Sequence, residues 1–230
     1  MLNARKSILT LATLAFAIFA TAQVSVGIKG GMNFNNLNTT EALGELAPDF
    51  TNISESNFGL VAEYGITDQF ALQTELNFLK KGFTTKANID NTEVFGLNLP
   101  LGGRAETKFS YVEVPLLAKY SFGGEGFQAY LTAGPTFGYA TSGRIDTKAR
   151  VLVDIDLGST NINLDDINYN RFEVGATAGA GISYTTNFGK FFADARYMHG
   201  FTELYDFPLV DEKVKNQGFG VNVGFMVPLN

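Results

Sequence analysis

Val24-Ser25-Val26-Gly27-Ile28-Lys29-Gly30-Gly31-Met32-Asn33-Phe34 sorts its side chains by parity. Val24, Val26, Ile28, Met32 and Phe34 are apolar, while Ser25, Gly27, Lys29, Gly31 and Asn33 are small or polar. Successive side chains of a strand point to opposite faces, so this stretch belongs to a sheet wet on one side only. Seven further stretches repeat the pattern, at about 57–66, 69–80, 108–122, 126–140, 169–185, 189–200 and 217–229. Thr67-Asp68, Gly123-Gly124-Glu125 and Thr186-Asn187-Phe188 join neighbouring stretches at hairpin spacing. The connections 35–56, 82–107, 141–168 and 201–216 are long. This alternation of tight and long connections predicts an all-β, eight-stranded antiparallel up-and-down transmembrane β-barrel with short periplasmic turns and long extracellular loops. Within the third long connection, Ile145, Val151, Val153 and Ile155 also alternate, which predicts a hairpin extending past the membrane.

A soluble barrel alternates as well, with its apolar face inward. Three features favour hydrocarbon outside. The polar face carries glycine and isolated charges (Gly27, Lys29, Gly59, Glu63, Gly179, Gly181) and not a dense cover of lysine and glutamate. The apolar face ends in rings such as Phe34, Phe58, Phe70, Tyr120, Phe122, Tyr139, Phe172 and Tyr184, which suit the headgroup level. The long connections also fall on one side only. Pro115 and Pro135 interrupt two strands, and a closed barrel has no free edge to excuse a missing donor, so a bulge or local break is expected at each.

The inward register places Lys29, Glu63, Glu75, Glu113, Lys119, Arg171, Glu173, Asp194 and Arg196 in the lumen, with Gln73, Asn77 and Asn222. Eight strands enclose a space just wide enough for side chains to fill. Opposed charges there are expected to pair into a structural polar core, because an unpaired buried charge is very costly. A narrow gated conduit or a small-ligand pocket is the functional alternative.

Met1 to Ala22 reads as a secretory signal: Arg5 and Lys6 precede an apolar run from Ile8 to Ala20, and Ala20-Thr21-Ala22 matches the small-x-small cleavage pattern. Cleavage after Ala22 would leave residues 23–230 as one barrel domain. The run is too short for a spanning helix, and no later apolar run approaches spanning length. The chain has no cysteine, which excludes a lipoprotein and any disulfide. It holds 17 basic and 23 acidic residues, and loss of Arg5 and Lys6 leaves the remainder near −8 (15 − 23). That balance argues against nucleic acid.

Tyr111-Val112-Glu113-Val114-Pro115-Leu116-Leu117-Ala118-Lys119-Tyr120 resembles the signature of the Bacteroidota outer-membrane β-barrel family, the PorT-like group. The opening Gly27-Ile28-Lys29-Gly30-Gly31-Met32-Asn33-Phe34, then Ala133-Gly134-Pro135 and Asp194-Ala195-Arg196-Tyr197, agree with it. The resemblance implies an eight-stranded barrel with Pro115 as a family feature, no general activity, and in one branch a part in protein secretion across the outer membrane. The chain departs from many barrels in ending Val227-Pro228-Leu229-Asn230 and not on an aromatic, although Phe225 lies on the lipid-facing register.

No catalytic set is expected. The single histidine, His199, falls at the end of a strand on the aromatic-belt face, while Ser183 and Asp194 lie on neighbouring strands. Glu41, Glu45, Asp49 and Glu55 in one long loop, and Asp154, Asp156, Asp165 and Asp166 in another, offer oxygen ligands for calcium. Their spacing does not match an EF-hand, so solvated loops are expected. The sequence thus predicts a non-enzymatic, cofactor-free protein of the cell outer membrane. Its partners would be membrane lipid and cell-envelope or secretion-system proteins, with a small passive channel as a further alternative.

Overall fold

The computed structural model describes residues 23–38, 50–94, 97–124, 126–150, 154–167, 169–204 and 215–229. The signal at 1–22 lies outside them. Nine strands run through these residues: β1 (Val24–Asn38), β2 (Phe50–Gly65), β3 (Phe70–Val94), β4 (Leu97–Gly123), β5 (Phe127–Arg150), β6 (Asp154–Ile162), β7 (Phe172–Thr186), β8 (Gly189–Gly200) and β9 (Lys215–Pro228). Every pairing is antiparallel, in the ring β1-β2-β3-β4-β5-β7-β8-β9. β9 returns to β1, with Val26 opposite Val227 and Phe34 opposite Phe219, and closes it. Eight strands therefore make the barrel. β6 is the ninth, pairing the far end of β5 from Gly143 to Arg150.

Closure leaves no free edge in the ring, so every mid-strand amide there has a neighbour to bond. The outside is apolar: Ile28, Leu60, Leu72, Leu116, Leu131, Ile182, Val221 and Val223 are all exposed. The inside carries the buried charge. On β4 the outward apolar run from Val112 to Phe122 covers eleven residues, the length a tilted strand needs to cross hydrocarbon. At the tight-turn end, Thr67 Oγ1 accepts from the Phe70 amide at 2.9 Å. Gly123 adopts φ +133°, which favours glycine, as the chain enters the β4–β5 turn.

One expectation about the connections needs correction. The connection 82–107 is largely strand, since β3 and β4 stay paired out to Val94 opposite Leu97. Within 141–168 the expected hairpin beyond the membrane is present, as β5 and β6 paired from Gly143 to Arg150. Beyond the hydrocarbon no lipid-facing band has to be kept, so β3 and β4 lose there the strict period of two that reveals a strand in sequence. At the prolines the ladders are interrupted without a change of register. The β3–β4 pairs skip Val114 and Pro115, and the β4–β5 pairs skip Leu116 and Leu117 opposite Gly134 and Pro135. The missing proline donor breaks the ladder locally, while Thr74 Oγ1 donates to the Pro115 carbonyl at 3.1 Å. The bulge lies elsewhere, where Ser110 opposes Ser142 but Tyr111 opposes Ala140.

Candidate functional site

The inward side chains stack in layers along the barrel axis. Nearest the tight turns, Glu63 receives Lys119 at 2.7 Å and also pairs with Lys190, and Lys119 stands 3.9 Å from the centroid of the Tyr130 ring. Mid-barrel, Glu75 bridges Lys29 at 2.6 Å and Arg196 at 2.8 Å, and Arg196 continues to Asp194 at 2.6 Å. Amides from Gln73 and Asn77 complete Glu75, while Asn222 and the Tyr130 hydroxyl donate to Asp194. Above them, Lys81 joins Glu113 at 2.6 Å and Glu173 at 2.9 Å, with Asn216 donating to Glu173. Five cations thus meet five carboxylates, all but Lys190 buried. Pairing at this density offsets a desolvation cost that no isolated charge could meet.

Packing in the lumen depends on glycine. Tyr130 pairs with Gly181, Phe192 with Gly224, Arg196 with Gly179, Asn77 with Gly59 and Asn222 with Gly31. Each large side chain lies across the residue opposite it. A Cβ on Gly179 would fall 2.7 Å from Arg196 Cγ, and one on Gly31 would fall 2.7 Å from Asn222 Oδ1. Small opposite large is how a narrow barrel fills its interior.

The far mouth is closed by an apolar cap. Leu79, Phe109, Tyr111 and Ala140 from the wall meet Leu164, Tyr169 and Leu204 from the connections. Phe109 stacks on Tyr169 with centroids 4.3 Å apart, and the Tyr111 and Tyr169 hydroxyls bond at 2.6 Å. Below the cap, two cavities of about 20 Å³ each interrupt the packing, one beside Lys81 and His199, the other beside Lys29 and Arg196. Each is room for about one water.

Of the residues read inward from sequence, Lys29, Glu63, Glu75, Glu113, Lys119, Glu173, Asp194 and Arg196 stand in these layers. Arg171 does not. It lies just before β7 and its guanidinium binds Asp165 in the preceding connection at 2.9 Å. A residue one step outside a strand is no longer bound by that strand's parity. Sequence reasoning passed over Lys81, which continues the parity of Glu75 and Asn77 beyond the expected end of the strand. It also passed over Lys190, which shares the parity of Asp194 and Arg196.

His199 stands with Tyr197 and Phe201 at ring separations of 6.4 and 5.6 Å. Tyr197 and Phe201 are exposed on the outer face, whereas Ser183 and Asp194 are buried inside. A barrel wall therefore separates the histidine from both. Of the loop acids, Glu41, Glu45 and Asp49 lie outside the described residues, and Glu55 pairs with Lys108 at 2.8 Å. Among the described residues no group of three or more histidine, cysteine or acidic side chains is arranged to hold a metal ion.

Residues 19–206 match the sequence profile of a family described as outer membrane protein beta-barrel domain. Among solved structures, the chain is similar to OprG of Pseudomonas aeruginosa, at 13% identity and TM-score 0.48, covering 90% of this chain and 96% of that one. Neisserial surface protein A is similar at 12% identity and TM-score 0.43, covering 86% and 95%. Ail of Yersinia pestis, solved with the heparin analogue sucrose octasulfate, is similar at 15% identity and TM-score 0.38, covering 89% and 99%. No curated protein matches the chain.

Proposed function

Because the chain belongs to the outer membrane protein beta-barrel domain family, and is therefore an integral protein of the outer membrane, we propose that it serves there as a non-enzymatic structural and surface-binding protein. One observation carries this reading. The lumen is packed with paired charges under an apolar cap, while β3, β4, β5 and β6 continue as a sheet well beyond the lipid-facing band. A filled interior offers no route or reaction space, so the projecting sheet is the surface available for partners. In this reading residues 1–22 are a cleaved export signal, the tight turns face the periplasm and the projecting strands face outward.

A second reading, favoured by the Tyr111–Tyr120 stretch, is that of a PorT-like accessory component of an outer-membrane secretion system. Partners would then meet the turn end. The chain has no cysteine, so single cysteines at Gly158 and Gly124 are unique handles for a photo-crosslinker on intact cells. Surface binding predicts labelling by impermeant maleimide and adducts from Gly158→Cys. The accessory role predicts adducts from Gly124→Cys. Labelling of Gly124→Cys but not of Gly158→Cys on intact cells would reverse the proposed orientation.

A further inference from the structure

The outward face of the projecting sheet is basic next to the membrane. The last lipid-facing row across the barrel reads Phe78, Val112, Tyr139 and Phe172, each opposite the next in register. One step further along the strands the row is Lys80, Ser110 and Ser142. Two steps further, Lys108 stands opposite Arg144. Beyond that come Glu106 opposite Asp146, then Arg104 opposite Lys148. Like charges placed directly opposite one another destabilise a sheet.

The compensation is incomplete. Glu106 is shared by Lys108 at 3.0 Å, Arg104 at 3.0 Å and Lys148 at 3.8 Å. Asp146 is shared by Arg144 at 2.8 Å and Lys108 at 3.4 Å, and Glu55 serves Lys108. Among the described side chains, Lys80, Arg104, Lys108, Arg144 and Lys148 are five cations against three carboxylates, and the backbone register adds Lys86 opposite Arg104 and Asp156 opposite Lys148. In the arginine pairs the carboxylates are the more buried partners: the Arg144 and Arg104 side chains are 57% and 41% exposed, those of Asp146 and Glu106 21% and 10%. Positive charge is what this face presents, in a chain that is acidic as a whole.

The geometry points to phosphate-bearing anionic lipid headgroups of the adjoining leaflet as the occupant of this face. Two strand steps span about 13 Å along the chain, or roughly 10 Å of height at barrel tilt. The headgroup layer extends about 5–7 Å beyond the hydrocarbon. Lys80 stands within that layer, and Arg144, whose side chain is 57% exposed, stands one step above it and within a side chain's length of it. Charge complementarity and continuity with the lipid-facing band select headgroups over a soluble partner. The inference extends the proposed function but does not depend on which end faces outward.

The test uses the folded protein in nanodiscs of phosphatidylcholine, with or without a third of phosphatidylglycerol, and follows its thermal midpoint by folded and unfolded gel mobility. Wild type should gain about 2–4 °C or more from phosphatidylglycerol at low salt, and lose the gain at high salt. Lys80→Gln/Arg144→Gln should abolish the gain whatever its midpoint in phosphatidylcholine, and Lys80→Glu/Arg144→Glu should turn it into a loss. Arg171→Gln, away from this face, should keep it. Equal gains in wild type and the double glutamine variant would overturn the proposal. So would an equal gain from soluble glycerophosphate in phosphatidylcholine discs.

Discussion

Tyr130 lies across Gly181, its partner between β5 and β7, so that a Cβ on that glycine would sit 2.6 Å from the phenolic oxygen. The ring is buried, meets Lys119 on its face and reaches Asp194 through its hydroxyl. One absent methyl thus positions an aromatic that touches two of the three charge layers.

Gly181→Ala should force Tyr130 from this place and destabilise the barrel by about 1–3 kcal/mol, the range for overpacking a filled interior. Gly103→Ala, where a Cβ meets nothing within 4 Å, should change stability little. Urea unfolding in detergent, read by gel mobility, compares the two. Equal effects would refute the glycine-socket account.

Glu75 holds Lys29 and Arg196 together mid-barrel. Glu75→Gln should leave two buried cations to one carboxylate, Asp194, and cost about 3–5 kcal/mol. Lys29→Met should cost less, because Arg196 and two amides still satisfy Glu75. Folding yield and unfolding midpoints measure the order, and the reverse order would contradict a network centred on Glu75.

With the lumen reduced to cavities of about 20 Å³ under the cap, the protein should show no stepwise conductance in planar bilayers. Tyr169→Ala should remove the Phe109 stack and the Tyr111 bond yet leave the bilayer silent, because the Lys81 and Glu75 layers lie beneath. Regular conductance steps from the wild type would restore the channel reading.

Acid should loosen the projecting sheet. Burial acts to raise the Glu106 and Asp146 carboxyls, but hydrogen bonds and charge from Lys108 and from Arg144 hold them below the ordinary carboxylate range. A depressed folded value stabilises above the unfolded value, and that contribution is lost as pH falls through the folded one. An acid-active protease should therefore cut strands β3 to β6 beyond the lipid-facing band at pH 3 more readily than at pH 5. Arg144→Gln should narrow the difference. Cleavage independent of pH in wild type would remove this linkage.

Legibility followed the membrane. Where hydrocarbon touched the wall, as from Val112 to Phe122, alternation marked both the strand and its inward charges Glu113 and Lys119. Past Ser110 and Ser142 the outer face no longer meets lipid, so the length of β3 and β4 was hidden. Lys81 went unread for the same reason, one residue beyond the expected strand end, and Arg171 was misread because it precedes its strand.

Period-two patterning by itself determined the barrel, its inside-out polarity and most inward charges, because parity is a local property and lipid tolerates no charge on its side of a strand. Only the closed ring decided which charges meet. Lys29 and Glu75 lie 46 residues apart and Lys81 and Glu173 lie 92 apart, so their encounters depend on register and on the glycines opposite, which no local pattern encodes. Pairing of β3, β4 and β5 likewise set five cations against three carboxylates among the described rim side chains and gave the outer face its sign.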